Sequence, residues 1–269
     1  MPTLQPDKTA PNIGPERNGG NPKPSHNRAV PPLEGAWWKW TCGILMAYVI
    51  YGAFFIANGA AGFGKSGDVA RIVFFHVPSA ILSSVCYIVG TVYAVNYLWK
   101  SPMPQIDTWK RRMPEIDIRS AIAMELGFVF CILATVTGSI FAGAQWGSYW
   151  NWDPREISIV IMLLLYASYL VLRGAIPDDW EKRARLCAVY AVVALIPAQF
   201  PIWVVPRIPA VASLHPTNVL VQPSGTSLSY KAVLYPSFIA FTMLYIWLTQ
   251  LRLRVWQLTQ SKLARKAQG

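Results

Sequence analysis

The sequence predicts an all-α polytopic membrane protein with six transmembrane helices and both termini in the cytoplasm. Three observations lead there. Of 269 residues, 54% are hydrophobic and only 14% charged, where soluble domains carry roughly 25%. The uncharged runs are long, and about 20 apolar residues suffice to cross a bilayer. Finally, the 24 Lys and Arg residues gather almost wholly on one side once alternate spans are threaded through a membrane.

The chain opens with 36 residues of another character. They hold Pro2, Pro6, Pro11, Pro15, Pro22, Pro24, Pro31 and Pro32, scattered charge and few aliphatic side chains. Such a segment cannot bury enough apolar surface to offset its ordering entropy, so residues 1–36 are expected to be a disordered cytoplasmic tail, with His26 inside it. It is too polar for a signal-peptide core, and the first apolar segment is expected to remain as an anchor. Residues 37–252 are then the six-helix domain and 253–269 a basic cytoplasmic tail.

Uncharged runs at 40–64, 72–99, 126–152, 157–172, 186–206 and 232–251 mark the spans, 157–172 being at the short limit. A further run, 208–230, carries Pro209, Pro216 and Pro223 among many Ser, Thr and Asn. Lipid offers no partner for an interrupted backbone, so this run reads as a loop. With the N-terminus inside, cytoplasmic segments hold nineteen Lys and Arg and the outer face only five, Lys65, Arg71, Arg155, Arg207 and Lys231. Basic loops stay inside. The net charge of +11 is thus a topology signal and not a nucleic-acid surface, since its distribution follows the alternation of the spans.

Other residue types are less informative. Cys42, Cys86, Cys131 and Cys187 fall in or beside spans without a CxxC or CxxCH spacing, and read as packing residues. Trp37, Trp38, Trp40, Trp99, Trp180, Trp247 and Trp256 sit near membrane borders, as indoles do. Glu125, about a turn inside helix 3, is expected either to serve a functional site or to pair with an Arg from a neighbouring cytoplasmic end.

The segment AQWGSYWNWDPREIS, residues 144–158, is different. Trp146, Trp150 and Trp152 crowd around Gly147 and run into Asp153, Arg155 and Glu156, between helices 3 and 4 on the outer face. His76, in RIVFFHVPSA, and His215, in ASLHPTNV, face the same side. Pro78 places His76 at or near the cap of helix 2, where the positive dipole end disfavours imidazolium and keeps the ring in its metal-ligating form. A single histidine is more often structural. Two on one face beside a tryptophan cluster suit a planar metalloporphyrin, with one imidazole on each side of the iron and indoles against the ring. Asp153 also reads as the N-cap of helix 4, with Pro154 at the first helical position.

WGSYWNWD resembles the tryptophan-rich signature of the heme-handling proteins of cytochrome c maturation, and the chain is most similar to the six-span heme exporter protein C (CcmC-type) family. HVPSA, TVTGSIF, WDPRE and SLHP add to the likeness, which covers nearly all of the chain beyond the tail. The resemblance implies that His76 and His215 are axial ligands of heme b. It further implies that Trp146, Gly147, Trp150, Trp152 and Asp153 form an external heme-binding loop. Propionates need cations, and Arg71 and Arg155 are the nearest candidates; each reads equally as an interfacial anchor on lipid phosphate. Implied partners are a periplasmic heme chaperone (CcmE type), ATP-binding cassette subunits (CcmA/CcmB type) and a small single-span subunit (CcmD type). No G-x-x-x-x-G-K-[ST] segment is present, so ATP hydrolysis falls to a partner. The expected setting is the cell inner membrane, with the site facing the periplasm and the protein a carrier, not an enzyme. Pro154, Arg155 and Glu156 are closer to the related synthase branch (CcsA type), which stays open, as does a b-type cytochrome redox subunit.

Overall fold

The computed structural model describes residues 37–57, 68–101, 107–215 and 227–266. The expected tail 1–36, with His26, and Pro216 and Pro223 of the expected loop lie outside them. Among the described residues the regular structure is entirely helical. The elements are α1 (Trp37–Phe55), α2 (Val73–Lys100, preceded by a 3-10 turn, Val69–Ile72), α3 (Asp107–Trp146), α4 (Pro154–Gly174), α5 (Trp180–Val193), α6 (Leu195–Trp203, followed by a 3-10 turn, Val205–Arg207) and α7 (Leu228–Lys266).

Five helical stretches are long and apolar enough to cross a membrane: Val69–Lys100, Arg112–Trp146, Pro154–Gly174, Trp180–Arg207 and Leu228–Lys266. The protein is therefore an all-α polytopic membrane protein. The expected sixth crossing falls on α1, whose 19 residues reach about 28 Å at 1.5 Å per residue, but which is not among these five stretches.

Several boundaries differ from those expected. Helix 3 stops at Trp146, so only the first tryptophan of the cluster is helical. The run 186–206 is a broken helix. Pro197 has no N–H for the carbonyl four residues back, and the chain turns from α5 into α6 through Ala194. The expected basic tail from 253 onward continues α7 to Lys266; its Leu, Arg, Gln, Lys and Ala content favours helix.

Three apolar clusters hold the helices together. Tyr87, Met124, Met162, Tyr166, Tyr169 and Ala191 join α2 through α5. Val49, Phe74, Phe141, Tyr230 and Val233 join α1, α2, α3 and α7, with Trp146 packed against them. Leu82, Ile122, Phe130 and Phe241 join α2, α3 and α7. The four cysteines are free and buried within this packing.

Buried polar side chains fix the register between helices. Tyr166 donates its hydroxyl to the Ser83 carbonyl at 2.6 Å, and the Trp203 indole N–H donates to Ser84 Oγ at 2.7 Å. Where α4 ends, Arg173 forms a two-point ion pair with Asp117 of α3, at 2.9 and 2.7 Å. Glu125 pairs with Arg252 of α7, so of its two expected roles the structure supplies the ion-pairing one.

Candidate functional site

The site lies where α3 ends, α4 begins and the segment after α6 returns. Its frame is the turn between α3 and α4. Gly147 takes φ +79, a conformation glycine adopts freely, and lets the chain leave α3. Ser139 Oγ donates to the Tyr149 carbonyl at 2.9 Å, and Asn151 Nδ2 to the Ser148 carbonyl at 3.0 Å. Trp152 has φ +56, rare for a bulky residue and costing on the order of 1–3 kcal/mol.

Two hydrogen bonds hold Trp152 in that state. The Asn151 and Asp153 N–H groups both donate to Glu156 Oε2, at 2.8 and 3.2 Å. Asp153 in turn accepts from the Arg155 N–H at 2.9 Å, completing a capping box with Pro154 at the first helical turn. The N-cap role expected for Asp153 is therefore present. The same carboxylate also does something the sequence did not disclose.

Asp153 gathers the segment 213–215. Its side chain is 1% exposed. It accepts from Ser213 Oγ at 2.9 Å, from the Leu214 N–H at 2.6 Å, and from His215 Nδ1 at 2.9 Å. Burial pushes the carboxyl up, but the Arg155 and Leu214 N–H groups, the His215 ring and Ser213 together bring it below the usual carboxylate range. Burial is the largest influence and holds His215 below the ordinary imidazole value, against the upward pull of Asp153, with Arg155 adding a smaller push downward. The Trp146 ring crosses His215 edge-on, with centroids 4.9 Å apart, and is backed by Phe141 at 5.6 Å.

His76 is the fourth residue of α2, one turn from its N-cap Ile72 and so near the cap as expected, although the 3-10 turn beginning at Val69 runs directly into the helix; the ring lies against α3. Its Nδ1 donates to the Ala134 carbonyl at 3.0 Å and lies 3.2 Å from Thr137 Oγ1. Gly138 makes room for the ring: a Cβ there would sit 2.7 Å from His76 Cε1. His76 packs against Ala134, Thr137 and Gly138 of α3 and His215 against Trp146 at the end of the same helix, so residues 139 apart in sequence both lie toward the C-terminal end of α3.

The remaining expected residues divide. Trp152 is 73% exposed and meets Trp150 edge-on at 5.9 Å; Tyr149 beside them is exposed as well. Arg71 is engaged by Asp68 at 2.8 Å and the Phe54 carbonyl at 2.9 Å. Arg155 is close enough to Arg207 for the two charges to repel. Its Nε is buried without a hydrogen-bond partner, and among the described residues neither arginine is ion-paired to a carboxylate.

Thr137, Ala134, Gly138 and Ser213 were not singled out from sequence, although Thr137 and Gly138 lie in TVTGSIF and Ser213 in SLHP. No local pattern reveals a partner some 60 residues away. Among the described residues no three of His, Cys, Asp and Glu gather into a cage for a bare metal ion. Chemically the site offers two imidazoles whose Nε2 atoms are not engaged by their Nδ1 partners, exposed indole surface, and two neighbouring guanidinium groups. A flat metal-bearing anion fits that set of donors.

Comparison with known proteins identifies a family. Residues 23–268 match the family described as heme exporter protein C. The chain is 31% identical over 186 residues to heme exporter protein C of Bradyrhizobium diazoefficiens, covering 68% of this chain and 64% of that protein. It is 29% identical over 167 residues to the Paracoccus denitrificans protein of the same name, covering 58% and 64%. With the Rhodobacter capsulatus protein it shares 30% over 156 residues, covering 56% and 58%. The match therefore spans less than two thirds of the length of these relatives.

Proposed function

The chain belongs to the heme exporter protein C family, and from that premise we propose that it holds heme as cargo and delivers it for cytochrome c maturation. His76 and His215 supply the axial imidazoles to heme b, with Trp146, Gly147, Trp150, Trp152 and Asp153 as the loop around it. Arg155 receives a propionate, with Arg207 beside it. Arg71, already engaged by Asp68, supports the start of α2 and is the weaker candidate for the second propionate.

The observation that carries this reading is the seating of two histidines along the last turns of α3: His76 rests on Ala134 and Thr137, and His215 on Trp146, oriented by Asp153. A metal-bound His commonly donates its other N–H to a carboxylate or carbonyl, and both rings do so here. The indoles offer apolar surface for the porphyrin faces, while the exposure of Trp152 leaves an edge open to an acceptor.

The setting follows from charge. Basic loops stay inside, which puts the tryptophan end on the periplasmic face of the inner membrane, with both termini in the cytoplasm. The acceptor is a periplasmic heme chaperone of the CcmE type. CcmA/CcmB-type cassette subunits supply ATP hydrolysis, and a CcmD-type subunit completes the assembly. The protein itself makes and breaks no covalent bond in its cargo and is not an enzyme.

The test is an absorption spectrum of protein purified under heme-replete conditions. The wild type should show a Soret band with the low-spin signature of two imidazole ligands. His76→Ala combined with His215→Ala should abolish that signature while the protein stays in the membrane. An unchanged bis-imidazole spectrum in the double variant rules the ligand assignment out.

A further inference from the structure

We infer that the two histidines are unequal ligands by construction: Asp153 makes His215 the retaining donor, while the Ala134 carbonyl and Thr137 leave His76 the weaker donor, which lets go of heme first. This rests on the reading that both imidazoles hold heme. It adds the order of release and the residues that set it.

The argument begins with protons. A carbonyl oxygen only accepts, so the 3.0 Å contact from His76 Nδ1 to Ala134 requires the hydrogen on Nδ1. Thr137 cannot reverse this. Its own hydroxyl hydrogen goes to the Leu133 carbonyl at 2.6 Å, so toward His76 it too is an acceptor. On the other side each oxygen of Asp153 already accepts from a backbone N–H, Oδ1 from Arg155 and Oδ2 from Leu214, so toward His215 Nδ1, 2.9 Å from Oδ1, it is an acceptor too. Both rings are therefore Nδ1–H tautomers with a lone pair on Nε2, the atom left to meet iron.

The two acceptors differ in charge. A hydrogen bond to a carboxylate is roughly twice as strong as one between neutral groups and makes the opposite nitrogen a more basic ligand. His215 has such a partner; His76 faces a neutral carbonyl and hydroxyl. Placement on a loop does not cancel this advantage, because Asp153 also holds Ser213 Oγ and the Leu214 N–H and so anchors the two residues that lead into the ring. When the iron–His76 bond opens, the electron pair remains on Nε2 and no proton moves, because Nδ1 keeps its hydrogen toward Ala134. Heme is then held through His215 with one face free for an acceptor's ligand.

The chain has three histidines, which makes the first part directly measurable. In heme-free protein labelled with 15N-histidine, the rings of His76 and His215 should both report the Nδ1–H tautomer. An Nε2–H signal from His76 overturns the inference. In heme titrations, His215→Ala should lose at least about tenfold more affinity than His76→Ala, the scale on which outer-shell partners act. The His76→Ala protein should keep a five-coordinate, His215-bound spectrum. Asp153→Asn keeps a capping side chain but removes the charge, and should close the gap between the two single variants. Equal losses, a larger loss for His76→Ala, or a gap that survives Asp153→Asn overturns the inference and leaves the ligand assignment standing. Heme affinity unmoved by either histidine substitution overturns both.

Discussion

Where α4 ends, Arg173 meets Asp117 in a two-point pair, Arg119 meets Glu115 and Arg252 meets Glu125. Where α4 begins, Arg155 and Arg207 stand close together with no carboxylate partner among the described residues, and the buried carboxylate there, Asp153, is committed to a helix cap and to His215. The first end holds these three ion pairs among many other basic residues, whereas at the second end, among the described residues, Arg71 pairs with Asp68 while Arg155 and Arg207 are not ion-paired to a carboxylate. The same contrast holds for the backbone: the positive-φ residues found among the described residues, Gly147 and Trp152, both lie at the second end. An element that needs only to be stable has no use for strain or for unpaired cations, whereas a binding site that must later release its ligand can use both.

Four substitutions test that contrast. The largest effect is expected at the paired end. Arg173→Ala leaves the Asp117 charge buried, with its side chain 9% exposed, and should cost about 3–5 kcal/mol of stability. Thermal melts of the detergent-purified protein should show it, while the heme spectrum of the surviving fraction stays that of wild type. Removing both charges, as in Asp117→Leu with Arg173→Met, should recover most of the loss.

At the other end the loss should appear in binding instead. Arg155→Gln with Arg207→Gln should weaken heme capture by about 1.5–3 kcal/mol, the value of hydrogen bonds to charged groups, with little change in melting temperature. Heme esterified at both propionates should bind wild type and variant alike. A variant that loses both ligands equally would make the arginines structural, and the contrast between the ends would shrink.

Gly138→Ala acts on geometry rather than charge. The new methyl would press on His76 Cε1 at 2.7 Å, an overpacking worth about 1–3 kcal/mol. If the ring yields, the low-spin signature of two axial imidazoles should fall while His215 remains bound. An unaltered spectrum would mean that α2 and α3 separate readily and that the tight seat of His76 is incidental.

The smallest effect belongs to the strained turn. Trp152→Gly removes a side chain that is already exposed and relieves the left-handed backbone, so the protein should melt slightly higher, by about 1 kcal/mol at most. Heme retention should nevertheless drop. A variant that is both more stable and fully retentive would show that the strain at Trp152 serves no ligand.

Much of the frame was legible in the chain alone. Long uncharged runs dictated helices, because lipid leaves a backbone no other partner, and the Asp153–Pro154–Glu156 pattern specified how α4 starts. The break after Val193 followed from Pro197 yet went unread, since an uncharged run shows hydrophobicity and hides interruptions. Helix 3 likewise ends before its uncharged run does: Gly147 stops it at Trp146, although the lack of charge continues to residue 152.

The sequence by itself determined that the protein is an all-helical membrane protein, which side of it is basic, and which residue types gather near the tryptophans. Those properties are local, set by hydropathy, charge and helix-cap chemistry within a few residues. Only the tertiary structure decided that Asp153 both caps α4 and grips His215, that His76 rests on Ala134 and Thr137 of α3, and that Arg71 is occupied by Asp68 while Arg155 lacks a carboxylate partner among the described residues. Each of these is a contact across the packed helices, and its existence depends on the rotation and register of one helix against another. Interlocking side chains such as Tyr166 on Ser83 and Trp203 on Ser84 fix that register, and no stretch of sequence taken alone contains it.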